Sequence, residues 1–189
     1  LMGGSGDDSL DGGGGDDLLS GGSGDDVYVN PDADDVIVER AGGGTDLVES
    51  DAAYALFDGG ANLENLTLTG LADIDGAGNG GDNLLTGNGG ANRLLGLGGN
   101  DTLDGGPGTD TLEAATGDDV YIVDSSLDTI VEIAGEGTDR IESAVDFALY
   151  DVGANVEDLT LTGGLGIDGD GNGADNVMIG NSGANRLRG

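Results

Sequence analysis

Ten aspartates hold the same place in a repeated pattern of nine residues, and carboxylates at such a spacing are suited to binding a hard cation. The pattern is G-G-x-G-x-D-x-U-x, in which U is a large apolar residue. It runs through 3–11, 12–20 and 21–29 and returns at 96–104 and 105–113. The sixth-place aspartates are the candidate metal ligands: Asp8, Asp17, Asp26, Asp35, Asp46, Asp101, Asp110, Asp119, Asp128 and Asp139.

The pattern continues beyond the glycine-rich units. At 30–38 and 123–131 the sixth-place aspartate and the apolar eighth residue persist without the usual glycines, so whether these two units hold an ion is left open. After a two-residue insertion the pattern resumes at 41–49 and 134–142. Other units carry asparagine in the sixth place, which allows either weak cation binding or a ladder of side-chain amides. These asparagines are Asn83, Asn92, Asn176 and Asn185.

A longer repeat contains these units. Residue i matches residue i+93 at 55 of 96 comparable positions, without a gap. We therefore expect one continuous segment, 1–189, built from two tandem units, 1–93 and 94–186. The nine-residue units fill 3–49, 78–142 and 171–188, and the spacers 50–77 and 143–170 lie outside the pattern.

The two spacers have a different composition from the rest of the chain. They hold four of the six aromatic residues and the alternation Leu-Thr-Leu-Thr at 66–69 and 159–162. Alternating apolar and polar residues predict a short strand with one buried face. We expect the spacers to form turns of the same solenoid that are packed by side chains rather than by ions.

Composition excludes several classes of function. A formal net charge of -33 opposes binding to nucleic acid or acidic lipid and favours a disordered chain when no cation is present. The chain has no cysteine, which excludes disulfides. Because it also has no histidine, it lacks the usual ligands of a zinc site. General-base and nucleophilic chemistry also have few candidates, so no catalytic residue is assigned. Any bound metal should therefore be one that prefers oxygen ligands.

The spacing itself predicts how the aspartates meet. Six residues of each unit form a glycine-rich turn and three form a short strand, so two units make one flattened coil of parallel strands about 4.8 Å apart. Aspartates two units apart then lie at the same edge, where their charges oppose stacking unless a cation lies between them. Carboxylate and carbonyl oxygens in a flexible turn suit calcium. The expected pairs are Asp8 with Asp26, Asp17 with Asp35, Asp26 with Asp46, Asp101 with Asp119, Asp110 with Asp128, and Asp119 with Asp139.

These units resemble the RTX, or hemolysin-type, calcium-binding nonapeptide repeats of bacterial proteins exported by type I secretion. The resemblance implies an all-β fold, a parallel β-roll or β-solenoid, with several Ca²⁺ ions held in the turns by the sixth-place aspartates and turn carbonyls. Proteins with such repeats include toxins, proteases, lipases, alginate epimerases, surface-layer proteins and large adhesins. The resemblance therefore implies an extracellular or cell-surface location.

Two functional hypotheses follow. The first is a non-catalytic segment of a secreted bacterial protein that folds on binding calcium outside the cell and has a structural or folding role in an adhesin, surface layer or filament. The second is a C-terminal secretion and folding module of an exported RTX enzyme, such as an epimerase, protease or lipase, or of a toxin. In either case the expected partners are calcium ions, with self-association through solenoid ends or edges and no nucleic acid or direct membrane insertion.

The assigned positions make a direct prediction about neighbouring aspartates. Asp17→Ala and Asp110→Ala should weaken calcium-induced folding more than Asp16→Ala does, because only the first two remove a sixth-place carboxylate. Circular dichroism during a calcium titration measures the midpoint for each variant. Equal midpoints for the three variants would show that the positions are wrongly assigned.

Overall fold

Short parallel strands stack along the chain and form two faces of a β-solenoid in the computed structural model, which describes residues 1–58, 62–151 and 155–189. Strands are numbered here in chain order. The first face is one continuous sheet of ten strands: β2 (Ser9–Leu10), β4 (Val27–Val29), β6 (Leu47–Ser50), β8 (Asn65–Leu68), β10 (Leu84–Thr86), β12 (Thr102–Asp104), β14 (Val120–Val123), β16 (Arg140–Ser143), β18 (Asp158–Leu161) and β20 (Val177–Ile179).

The second face is divided into three shorter sheets. The first contains β1 (Met2–Ser5), β3 (Leu18–Ser23) and β5 (Val36–Ile37). The second contains β7 (Tyr54–Ala55), β9 (Gly76–Ala77), β11 (Arg93–Gly98), β13 (Thr111–Thr116) and β15 (Thr129–Ile130). The third contains β17 (Phe147–Ala148), β19 (Gly169–Asp170) and β21 (Leu187–Arg188). Short 3₁₀ turns follow β7 and β17, at Leu56–Asp58 and Leu149–Asp151.

The register confirms the coil expected from the spacing. Ser9 pairs with Val27, two units further along, and every strand pair in the described residues is parallel. The two-residue insertion lengthens one coil, so that Val27 pairs with Leu47. The all-β solenoid inferred from the sequence is therefore confirmed.

The interior holds a column of apolar side chains to which each strand of the first face from β2 to β18 contributes. In the first face Leu10, Tyr28 and Val48 stack in register and are 4%, 0% and 0% exposed. Full burial of such a side chain contributes about 1.5–3 kcal/mol. The same column continues through Leu66, Leu85, Leu103, Tyr121, Ile141 and Leu159. The apolar eighth residue of each unit thus supplies the core.

The spacers form coils of the same solenoid, but their packing differs from that expected for two of the aromatics. The predicted Leu-Thr-Leu-Thr strands are β8 and β18, whose leucines are buried. Phe57 and Tyr150, in contrast, are 55% and 59% exposed. They lie on the short 3₁₀ turns, where Leu56 and Leu149 take the interior place. Aliphatic side chains therefore provide most of the packing in these coils.

Two residues adopt a backbone conformation that glycine holds elsewhere in the stack. Leu97 and Ala115 pair with each other and have φ of 83° and 71°. The corresponding residues of another coil pair, Gly4 and Gly22, also have positive φ. A side chain at positive φ costs about 1–2 kcal/mol. The repeat is therefore locally strained at these two places.

Replacing Ala115 by glycine should stabilise the calcium-loaded chain by about 1 kcal/mol, because it removes the steric cost of positive φ. Ala174→Gly is the matched control, since Ala174 is exposed and does not have a positive φ. It should be neutral or slightly destabilising. Urea unfolding in calcium compares the two variants. Equal loss of stability in both would contradict the argument from backbone strain.

Candidate metal centre

The sixth-place aspartates lie at the two edges of the solenoid, each directly before a strand. On the first edge Asp8 precedes β2, Asp26 precedes β4 and Asp46 precedes β6. On the second edge Asp17 precedes β3 and Asp35 precedes β5. The second tandem unit repeats both arrangements with Asp101, Asp119 and Asp139 on the first edge and Asp110 and Asp128 on the second.

Adjacent aspartates at one edge are joined by a hydrogen bond between coils. The Asp8 N–H donates to Asp26 Oδ1 at 2.8 Å, and the Asp26 N–H donates to Asp46 Oδ1 at 2.9 Å. All six expected pairs are linked in this way; the other four are Asp17 to Asp35, Asp101 to Asp119, Asp110 to Asp128 and Asp119 to Asp139, at 2.7–3.1 Å. Each carboxylate is thus fixed by one oxygen, and the other is left for a different partner.

That second oxygen has no protein partner in five of these aspartates. The buried Oδ2 atoms without a hydrogen bond are those of Asp8, Asp26, Asp101, Asp110 and Asp119. A buried ionised carboxylate with an unpaired oxygen is strongly unfavourable, so a partner of opposite charge is required. A hard cation between coils provides that partner.

In the glycine-rich units 3–11, 12–20, 21–29, 96–104 and 105–113 the first residue is glycine, which leaves room beside the carboxylate. A Cβ atom added at Gly105 would lie 2.7 Å from Asp110 Oδ2, and one at Gly3 would lie 2.5 Å from Asp8 Oδ2. Both distances are shorter than real Cβ contacts allow. At these two positions a side chain would make the carboxylate shift, whereas the unit of Asp119 accommodates Ala114 in the same place.

Burial raises the pKa of several of these carboxyl groups in the ion-free fold. For Asp101 and Asp139 desolvation is the main cause, repulsion from Asp119 adds to it, and the pKa is about 7. For Asp46 and Asp110 the pKa is about 6, again mainly because of desolvation. The hydrogen bond from the preceding coil lowers the pKa in each case but does not offset burial. The ion-free turns therefore oppose full ionisation.

The glycine-poor units differ from the others in how their aspartates are held. Asp35 Oδ1 accepts the Asp17 N–H, and its Oδ2 accepts the Asp32 N–H at 3.1 Å. Asp128 is arranged in the same way, with Oδ2 accepting the Ser125 N–H at 3.2 Å. Main-chain donors thus engage both oxygens, and the demand for a cation at Asp35 and Asp128 is lower. Their role as ligands remains a prediction.

In the asparagine units, side-chain amides form the hydrogen bonds that hold the turns together. The Asn79 N–H donates to Asn83 Oδ1 at 2.8 Å, and Asn83 Nδ2 donates to the Glu64 carbonyl at 3.1 Å. The next unit repeats this pattern with Asn88 and Asn92. An amide supplies a donor where a carboxylate has none. These turns are therefore hydrogen-bonded without a cation, through bonds from the amides to main-chain carbonyls of the preceding coil rather than through a ladder of amides between coils.

Four glutamates outside the sixth-place set also lie at the first edge, and the nine-residue pattern does not predict them. Glu64 Oε2 accepts the Asp46 N–H, and Glu157 Oε2 accepts the Asp139 N–H, both at 2.9 Å. They continue the carboxylate ladder into the spacers. Glu39 and Glu132, from the two-residue insertion, lie near the same aspartates. Glu64 and Glu157 are 93 residues apart, as are Glu39 and Glu132, and this recurrence is the sequence feature that indicates a shared role.

Taken together, the edges of the solenoid carry the groups that can bind hard cations. Fixed carboxylates with one buried, unpartnered oxygen fit the oxygen-rich, flexible coordination of calcium. The residues that would hold the ions are the sixth-place aspartates with orphaned oxygens. No helix in the described ranges has the length and apolarity needed to cross a bilayer.

Comparison with known proteins agrees with this geometry. A model of the RTX calcium-binding nonapeptide repeat matches four stretches, residues 1–28, 77–112, 86–121 and 170–189. These stretches contain glycine-rich and asparagine-type units and leave out most of each spacer. No curated protein and no solved structure matches the chain.

Calcium binding near pH 7 should release protons, because Asp101 and Asp139 have a pKa of about 7 in the ion-free fold and bind calcium as carboxylates. Calcium affinity should therefore fall as pH decreases from about 8 to about 6. Titration calorimetry in two buffers of different protonation enthalpy measures the released protons, at the highest pH at which circular dichroism in chelator still shows strand, because the carboxyl groups of a disordered chain are already ionised. An identical binding enthalpy in both buffers would contradict the raised pKa values.

The ion-free fold should respond to pH in the opposite sense. Its carboxyl groups have pKa values raised above those of the unfolded chain, so its stability is greatest below about pH 4. That stability is lost as pH rises through about 6 and 7, the pKa values of Asp110 and Asp101. Circular dichroism in chelator should show more strand in acid than at alkaline pH.

Proposed function

Since this chain carries RTX calcium-binding nonapeptide repeats, we propose that it is a calcium-responsive structural segment of a secreted bacterial protein. It is disordered when calcium is low and becomes a rigid β-solenoid when calcium is high. The observation that carries the proposal is the set of five buried aspartate oxygens without a protein partner. Without a cation, these oxygens oppose the stacked fold; with one, they join neighbouring coils.

The coupling between folding and binding follows from charge. With a formal net charge of -33, the unbound chain repels itself, and the compact state concentrates aspartates at two edges. Ions that bind the folded state much better than the unfolded state stabilise it by mass action. Extracellular modules bind calcium with a Kd of about 10⁻⁴ to 10⁻³ M. Such sites are mostly empty in the cytosol and filled outside, which suits export of an unfolded chain.

We assign the segment a structural role in an adhesin, surface layer or filament, and no catalytic activity of its own. The 93-residue repeat supports this assignment, because a solenoid is extended by adding coils that each contact only their neighbours. Self-association through solenoid ends or edges belongs to the same proposal. The alternative is a folding and secretion module of an exported RTX enzyme or toxin. Further 93-residue copies in the parent protein would favour the first role, and a catalytic domain the second.

Calcium should convert the chain from coil to strand, and magnesium should not, because magnesium demands a rigid octahedral shell and gives up its water reluctantly. Circular dichroism is recorded in chelator and then during separate titrations with the two ions at equal ionic strength. We expect a cooperative strand signal in calcium alone. A cooperative fold in chelator at neutral pH, or equal responses to both ions, would overturn the proposed function.

A further inference from the structure

One position in each tandem unit differs from the ordinary stacked pair of aspartates. A two-residue insertion follows the units 30–38 and 123–131. Its first residue is glutamate in both tandem units, Glu39 and Glu132, whereas its second residue is Arg40 in one and Ile133 in the other. Glu132 is only 8% exposed. Buried glutamate is rare unless it is paired, and the hydrogen bonds of this side chain show how its carboxylate is held.

The glutamate is held from both ends. Its main-chain carbonyl accepts a hydrogen bond from an asparagine side chain, Asn62 for Glu39 at 3.1 Å and Asn155 for Glu132 at 2.9 Å. One oxygen of its carboxylate accepts a hydrogen bond from the hydroxyl of an interior tyrosine, Tyr28 for Glu39 and Tyr121 for Glu132. The other oxygen accepts the N–H of the next residue, Arg40 or Ile133. That tyrosine oxygen in turn accepts a main-chain N–H from the preceding strand. The carboxylate is therefore held in one orientation.

In that orientation the glutamate carboxylate of the first tandem unit lies close to two sixth-place aspartates of adjacent coils. One carboxylate oxygen from each of Asp26, Glu39 and Asp46 lies within 4.8 Å of the others. A cation with oxygen ligands at about 2.3–2.6 Å can contact all three. Independently, Asp26 is 1% exposed and its Oδ2 has no hydrogen-bond partner. Asp119 in the second unit shares both properties, but the carboxylates of Asp119, Glu132 and Asp139 lie further apart than those of the first unit.

We propose that Asp26, Glu39 and Asp46 form a three-carboxylate cation site distinct from the repeat's ordinary two-aspartate pairs, and that Asp119, Glu132 and Asp139 form its counterpart. The inference rests on the proposed binding of cations by sixth-place aspartates and adds a ligand from outside the nine-residue pattern. Each site takes a hard, calcium-sized cation and carries one more negative charge than an ordinary pair. These two sites therefore fill first as the cation concentration rises.

The extra charge also favours trivalent ions, which supplies a probe. Attraction between a carboxylate and a cation increases in proportion to the cation's charge. Terbium(III) is a calcium-sized ion that seeks oxygen ligands and emits when a nearby tyrosine is excited. The chain has four tyrosines and no tryptophan. Tyr28 and Tyr121 each contact the proposed glutamate ligand, so terbium at these sites has a sensitiser beside it.

The test is tyrosine-sensitised terbium emission from the full 189-residue chain, folded in calcium and titrated with terbium. Glu39→Gln with Glu132→Gln should raise the terbium concentration at half-maximal emission by about tenfold, because each site loses one charge. Glutamine keeps an oxygen that accepts the tyrosine hydroxyl. The matched control is Glu49→Gln with Glu142→Gln, a strand pair at the same 93-residue offset. It removes two charges and should leave the midpoint within about twofold of the unsubstituted chain.

A second pair of variants keeps the test decisive if the glutamine chain folds poorly. Tyr28→Phe with Tyr121→Phe retains all three carboxylates, so calcium-induced strand formation should persist while most of the terbium emission is lost. Emission unchanged in the phenylalanine chain, or a glutamine midpoint equal to that of the control, would overturn the three-carboxylate sites. If calcium-induced folding of the unsubstituted chain is itself absent, the proposed function fails instead, so the two failures are distinguishable.

Discussion

Repulsion between carboxylates stacked at the spacing of β-strands is the constraint on which the rest of this structure depends. The Asp8 N–H is 2.8 Å from Asp26 Oδ1, so successive coils bring like charges into direct proximity along a buried edge. Desolvation of these stacked carboxylates is the larger cost, and together with repulsion from Asp119 it raises the pKa of Asp101 to about 7. A divalent cation relieves both effects at once, because it pairs the buried oxygen and neutralises the charge.

The other features of the repeat follow from this constraint. The first-place Gly105 leaves space beside the carboxylate of Asp110 that a side chain would otherwise take. The apolar column, including Leu103 and Tyr121, aligns the strands but leaves the turns charged. The asparagine turns and leucine-packed spacers use hydrogen bonds and apolar contacts instead of ions. Each 93-residue unit thus alternates coils that need a cation with coils that do not.

Much of the fold could be predicted from the sequence because a repeat fixes both register and burial. The pairing of Asp8 with Asp26 and the interior place of Tyr28 follow from counting residues. Side chains outside the pattern could not be placed in the same way. Glu39 reaches an aspartate pair only because the insertion lengthens one coil, and the exposure of Phe57 depends on a local 3₁₀ turn. Their positions depend on three-dimensional contacts that spacing does not encode.

The central claim is that cations, rather than protein groups, satisfy the orphaned aspartate oxygens. A crystal structure of the calcium-loaded chain, with anomalous diffraction to locate the ions, tests it most directly. The account predicts ions at about 2.3–2.6 Å from Oδ2 of Asp26, Asp101, Asp110 and Asp119. An ordered solenoid in which these oxygens contact only water or protein would contradict it.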